Sequence, residues 1–132
     1  VDDSPLILRL VEAIARSRGV PARTFERPLE ALARVLEARR TAPGDTGPGD
    51  LPALMLIDAD MPGMGGVDLI RLCRRAGYDG RLYLHSATLD RPTLRHAARA
   101  GASGVIAKDD TRRLLPLLLS GAGLGRPLPH AA

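Results

Sequence analysis

An α/β fold, with a parallel sheet covered by helices on both faces, is the expectation from three observations. Residues 53–57, 82–85 and 104–107 are short apolar runs of the kind that form strands buried on both sides. A segment with helical spacing follows each of them, at about 67–76, at about 90–100 and from about 110. Gly77 and Gly101 stop the first two of those segments, and alternation of strand and helix with short links is how parallel sheets are built.

The elements have local causes. Ser4-Pro5 starts a helix, with Ser as N-cap and Pro in the first turn; Leu6, Leu10, Val11 and Ile14 then recur at helical spacing, and Gly19 ends it. Arg23-Thr24-Phe25 forms a short strand. A second helix covers 28–40, with Leu29, Leu32, Val35 and Leu36 on one side. Residues 41–52 are a loop by composition, long for a connection in an α/β domain. Val1 is expected to be the last residue of a first, central strand, the rest of which is expected to lie upstream of it. The last helix holds Leu114, Leu115, Leu117, Leu118 and Leu119 around Pro116. These leucines cover more of its circumference than one buried face needs, and exposed leucines there would suit a dimer or an output partner. Pro116 lies past the first turn and is expected to kink or restart the helix. The chain reads as one domain over 1–121, with its first strand truncated, and a tail or linker over 122–132.

Composition narrows the function. Phe25, Tyr78 and Tyr83 are the only aromatics, which argues against base stacking as the main activity. The formal net charge is +4, but the arginines are spread over every expected helix rather than gathered in one block, so direct nucleic-acid binding is not expected of this domain. No apolar run approaches the roughly 20 residues that span a bilayer. Cys73 is alone, in keeping with a reducing cytoplasm.

The chemistry is at the strand ends. Lys108 is the only lysine beside eighteen arginines, and it closes Gly104-Val105-Ile106-Ala107. A chain that otherwise uses Arg for positive charge has placed here a compact ammonium on a flexible stem, in place of a planar fork. Asp58 ends Leu54-Met55-Leu56-Ile57, Ser86 ends Leu82-Tyr83-Leu84-His85, and Asp2 and Asp3 follow Val1. Three carboxylates, a hydroxyl and one ammonium at such ends would make a site for Mg²⁺ and a phosphoryl group. Two like charges about 4 Å apart repel by about 4 kcal/mol at an effective dielectric near 20, and a hard divalent cation with oxygen ligands relieves that. Met61 and Met64 beside Asp58 are not candidate ligands, since Mg²⁺ prefers oxygen. His85 adjoins Ser86, but successive strand side chains point to opposite faces.

Val1-Asp2-Asp3-Ser4-Pro5, Leu56-Ile57-Asp58-Ala59-Asp60-Met61-Pro62-Gly63-Met64-Gly65-Gly66, Ser86-Ala87 and Lys108 together resemble the receiver domain of two-component response regulators, in order and spacing over nearly the whole chain. The resemblance implies a doubly wound, flavodoxin-like sheet of five parallel strands in order 2-1-3-4-5, with ligands beyond the carboxyl ends of the strands. It implies that Asp3 and Asp58 bind Mg²⁺ directly, Asp2 through water and Asp60 through its backbone carbonyl. It also implies that Asp58 accepts a phosphoryl group from a histidine kinase or histidine phosphotransfer protein, with Lys108 and Ser86 holding the phosphoryl oxygens. Such a chain is a cytoplasmic phosphoacceptor that catalyses only its own phosphotransfer and dephosphorylation. Ser86 and the residue at Val105 would be the switch, Asp60 and Thr88 would tune phosphoryl lifetime, and the 90–121 surface would meet a second copy or an output partner.

The chain departs from the family pattern in two places. Val105 stands where many receivers carry an aromatic that swings inward, a movement a β-branched aliphatic cannot make. Asp109 follows the lysine where many receivers have Pro, and Lys-Asp resembles the subfamily whose output is a DNA-binding helix-turn-helix. These departures, with the leucine-rich last helix, support an alternative, a receiver-like interaction module independent of phosphorylation. Asp58-Ala59-Asp60 also resembles the Asp-x-Asp of haloacid-dehalogenase phosphatases, for whose fold and cap the chain is short.

Overall fold

A computed structural model describes residues 1–40 and 51–121. All but the last two residues of the expected loop 41–52, and the whole expected tail 122–132, lie outside the described residues. The elements are α1 (Pro5–Ser17), α2 (Pro28–Arg40), β1 (Leu54–Asp58), α3 (Gly66–Arg75), β2 (Arg81–Ser86), α4 (Arg91–Ala100), β3 (Gly104–Ala107), one turn of 3-10 helix (Lys108–Asp110) and α5 (Thr111–Leu119).

The described residues form three strands rather than the expected five. They run β1-β2-β3, all parallel, with Asp58 level with His85 and Ser86 level with Ala107. The two missing positions are occupied by shorter segments. Val1 lies beside β1: its amino group donates to Leu56 O at 2.7 Å, and its carbonyl accepts from Asp58 N at 2.8 Å. Asp2 N donates to Phe25 O at 3.1 Å on the other side. Residues 23–25 therefore sit where the second strand was expected, joined there by a single backbone bond, which does not make a ladder. The lateral order of segments is still the expected 2-1-3-4-5, and the fold is flavodoxin-like.

Alternation along the strands builds two cores. Met55, Ile57, Leu82, Leu84 and Val105 face α2, α3 and α4, meeting Ala31, Val35, Leu69, Ile70, Cys73, Ala97 and Ala100. Tyr83 and Ile106 face the other way and meet Leu118 of α5, which also packs with α1.

Two helices differ from expectation. In α2 the buried side is Pro28, Ala31 and Val35 with Leu32 beside it, while Leu29 and Leu36 are 63% and 42% exposed. Leu29 and Leu36 are seven residues apart, on a stripe next to the buried one at a 3.6-residue period. The α5 helix runs through Pro116 without restarting. Leu115 and Leu118 are buried, and of its leucines only Leu117 is largely exposed, at 41%. Packing of Leu115 and Leu118 offsets the one backbone hydrogen bond that Pro116 removes.

Candidate functional site

The carboxyl ends of the strands gather most of the residues singled out from the sequence. Asp58 is the last residue of β1 and Ser86 the last of β2, and Lys108 follows β3 directly. Asp2 is placed by the three backbone contacts of the Val1–Asp2 stretch, and it closes a local turn by accepting from Ser4 N at 2.9 Å through Oδ1. Ser4 in turn caps α1, accepting from Ile7 N.

Asp2, Asp3 and Asp58 each offer a carboxylate oxygen within 4.8 Å of the others. Asp2 and Asp58 are buried and Asp3 is exposed, so the cluster opens to solvent on the Asp3 side. Lys108 Nζ is 2.9 Å from Asp58 Oδ1 and 3.6 Å from Asp2 Oδ2. Burial alone would lower the lysine's pKa, but the hydrogen bond to Asp58 and the charges of Asp2 and Asp58 outweigh it and raise it, so the side chain stays an ammonium. Desolvation raises the pKa of Asp2, opposed by its bond from Ser4 N and reinforced by the nearby charge of Asp58. Asp2 Oδ2 is a buried oxygen without a hydrogen-bond partner among the described residues. Three clustered oxygen donors, one of them buried and unsatisfied, suit a small hard cation such as Mg²⁺.

Asp60 N donates to Asp58 Oδ1 at 3.2 Å, holding the Asp58 carboxylate from the turn side, while the Asp60 side chain is exposed. Ser86 is buried, and its Oγ accepts from Thr88 N at 3.2 Å, a bond that leaves the hydroxyl hydrogen free to be donated elsewhere. Thr88 lies on the exposed loop, its hydroxyl 3.4 Å from that of Thr93. Val105 is 2% exposed within the larger core.

Two neighbours of the site are His85, set aside in the sequence on strand alternation, and Thr111, not singled out there. His85 is 1% exposed, and its Nε2 lies 2.6 Å from Thr111 Oγ1, while its Nδ1 is 4.0 Å from Asp2 Oδ2. Thr111 Oγ1 donates to Lys108 O at 2.7 Å. Burial first, and then the Lys108 charge, lower the imidazole pKa to about 4, so the ring is neutral near pH 7. A histidine closing an apolar run was the only sequence signal for this contact, and Thr111, three residues after Lys108, carried none by itself.

A flavodoxin-like sheet with an acidic cluster and one ammonium at its carboxyl edge defines a class of protein, and comparison with known proteins narrows it. The family model described as the response regulator receiver domain matches residues 1–119, and the chain belongs to that family. The chemotaxis protein CheY of Pseudomonas aeruginosa is 34% identical over 104 residues, covering 70% of this chain and 82% of CheY. The DNA-binding transcriptional activator EvgA of Escherichia coli K12 is 34% identical over 59 residues, covering 45% of this chain and 29% of EvgA, so the match spans less than a third of that relative. Among solved structures, the receiver domain of the histidine kinase CKI1 from Arabidopsis thaliana, complexed with Mg²⁺, aligns with a TM-score of 0.78 at 20% identity, over 91% of this chain and 86% of that one. The receiver domain of the Francisella response regulator 1452 aligns at 0.73 and 16% identity, over 90% and 88%. Family membership leaves the phosphatase reading of Asp58-Ala59-Asp60 without support. No helix among the described residues is long and apolar enough to cross a membrane.

Proposed function

We propose that Asp58 accepts a phosphoryl group from the phosphohistidine of a cytoplasmic histidine kinase or phosphotransfer protein, in a Mg²⁺-dependent reaction. The observation that carries this reading is Lys108 Nζ, 2.9 Å from Asp58 Oδ1 beside three carboxylates within 4.8 Å of one another. An Asp58 carboxylate oxygen attacks phosphorus, the phosphorus–nitrogen bond breaks, and the imidazole leaves with that electron pair. Asp60 N orients the attacking carboxylate. Lys108 moves from Asp58 to a phosphoryl oxygen, which needs only a flexible stem. Ser86 turns its free hydroxyl hydrogen to a second phosphoryl oxygen, and the loop through Thr88 follows. Asp3 and Asp58 would hold Mg²⁺ directly, Asp2 through water and Asp60 through its carbonyl, and the bound ion would neutralise charge gathering on the phosphoryl oxygens. Water later hydrolyses the acyl phosphate at the same place, with Asp60 and Thr88 setting its lifetime. The added charge shifts a two-state equilibrium of the 90–121 surface, through which a second copy or an output partner is met.

Treatment with Mg²⁺ and a small phosphodonor or beryllofluoride is expected to modify or occupy Asp58, as read by intact-mass spectrometry and fluorine NMR. Asp58→Asn is expected to abolish both signals. No adduct on the unmutated chain, under conditions that label a control receiver, would overturn the reading.

One observation favours a second reading, a module that binds partners without phosphate. Val105, where an aromatic would swing, is an aliphatic side chain already buried in the core. Retention of partner binding by Asp58→Asn would favour it.

A further inference from the structure

We propose that His85 is a positioning residue for Lys108, acting through the hydroxyl of Thr111. The inference rests on the reading of Asp58 as phosphoacceptor and concerns how the amine opposite it is held. A fully buried imidazole on a central strand is costly unless its polar atoms are bonded, so packing alone would favour an aliphatic side chain there. The ring makes one hydrogen bond, Nε2 to Thr111 Oγ1 at 2.6 Å, and its Nδ1 faces Asp2 Oδ2 at 4.0 Å.

The direction of the bonds follows from counting hydrogens. Thr111 has one hydroxyl hydrogen, and it is directed at Lys108 O, 2.7 Å away. Thr111 Oγ1 must therefore accept from His85, which places the ring proton on Nε2 and leaves Nδ1 as a lone pair. The same Lys108 carbonyl accepts the backbone N–H of Thr111, closing the 3-10 turn. Two bonds from one residue thus clamp the main chain of Lys108, and the imidazole ties that clamp to β2.

The strand end to which it is tied is the one that matters. The carbonyl of His85 accepts from Ala59 N at 2.9 Å, next to Asp58, and Ser86 is the following residue. His85 therefore links, through its main chain, the strand end that carries Asp58 and, through its ring, the turn that carries Lys108. It touches no reacting atom, and its effect on phosphotransfer passes through the placement of the amine.

The test compares His85→Leu, His85→Gln, Thr111→Val, Thr111→Ser and the His85→Leu/Thr111→Val double variant in the full chain. At saturating Mg²⁺, His85→Leu and Thr111→Val are each expected to slow phosphorylation by a small phosphodonor about tenfold, because small misplacements of a positioned charge are costly. The double variant is expected to be no slower than the slower single one, since both break the same chain of bonds. Gln, whose amide N–H can reach the Nε2 position, and Ser, which keeps the hydroxyl, are expected to restore most of the rate. Mg²⁺ affinity measured without phosphodonor is expected not to fall, since a displaced amine competes less with the ion for Asp58. If His85→Leu does not fold, Thr111→Val carries the test from the other end. Nitrogen NMR of the unphosphorylated chain provides a readout free of phosphotransfer: the His85 ring is expected as the Nε2–H tautomer, and the Lys108 ammonium signal is expected to broaden in Thr111→Val. A Nδ1–H tautomer, unchanged rates in the folded variants, or multiplicative losses in the double variant would each overturn the inference. Failure of the unmutated chain to react, with the NMR result intact, would count against the phosphoacceptor reading alone.

Discussion

Lys108 partly offsets the charge of two carboxylates that would otherwise face each other and Asp3 unscreened. Its amine is 2.9 Å from Asp58 and 3.6 Å from Asp2, and the pair is protected from solvent on the Asp2 side. Charges at about 4 Å interact by about 4 kcal/mol at an effective dielectric near 20, so removing the amine leaves repulsion of that order among the three acids. Lys108→Met is therefore expected to do two opposite things. Without divalent ions the protein should melt at a lower temperature. With Mg²⁺ the ion no longer competes with an ammonium for Asp58, so its affinity should rise, on the order of three- to tenfold, less than the full repulsion because solvent screens the open Asp3 side. Calorimetric titration checks the sign, and weaker Mg²⁺ binding in Lys108→Met would contradict this account of the cluster. The uniqueness of the lysine was legible in the sequence, as were the acids at the strand ends. The His85–Thr111 contact was not, because its partners are 26 residues apart and a histidine in an apolar run does not disclose what it bonds to.

The turn from β1 to α3 sets how closely the first turn of the helix can approach Asp58. A Cβ added to Gly66 would lie 2.1 Å from Asp58 O and 2.9 Å from Leu84 Cδ1, with backbone and core side chain together leaving no room. Gly66→Ala must therefore push Asp58 away from Lys108 or lift α3 off the sheet, and a loss of about 3 kcal/mol is expected with a matching loss of modification at Asp58. Gly65 next to it would bring a Cβ only to 3.5 Å from Ala59 O at an ordinary φ of −70°, so Gly65→Ala should cost about 1 kcal/mol or less. Chemical denaturation of the two variants separates them, and equal losses would remove the close-approach argument. The Gly-rich turn itself was legible, but which glycine carries the constraint was not, since that depends on Leu84 from another strand. Tertiary packing likewise decided α2 and α5. Both patterns were helical on paper, yet the sheet selected Ala31 and Val35 over Leu29 and Leu36, and Leu115 and Leu118 over Leu117.

The stretch that carries Asp2 and Asp3 lies between β1 and residues 23–25. Asp2 and Asp3 belong to a stretch joined to its neighbours by three backbone bonds, from Val1 N to Leu56 O, from Asp58 N to Val1 O and from Asp2 N to Phe25 O. An ion shared by Asp2, Asp3 and Asp58 would add a cross-link between that stretch and β1, residues more than fifty positions apart in the chain. Binding only to the folded form stabilises it by RT ln(1 + [L]/Kd), about 2.7 kcal/mol at a hundredfold excess over Kd. For a domain of this size that corresponds to a rise in melting temperature on the order of 10 °C. Ordinary screening of like charges by salt also stabilises, so the comparison must be made against NaCl at equal ionic strength. Under that control Mg²⁺ is expected to raise the melting temperature of the unmutated chain, Asp3→Asn to reduce the rise, and Asp58→Asn to reduce it further, because Asp58 lies buried at the end of β1 whereas Asp3 is exposed. A rise that survives both substitutions would place the ion elsewhere, and a rise matched by NaCl would reduce the acidic cluster to surface electrostatics.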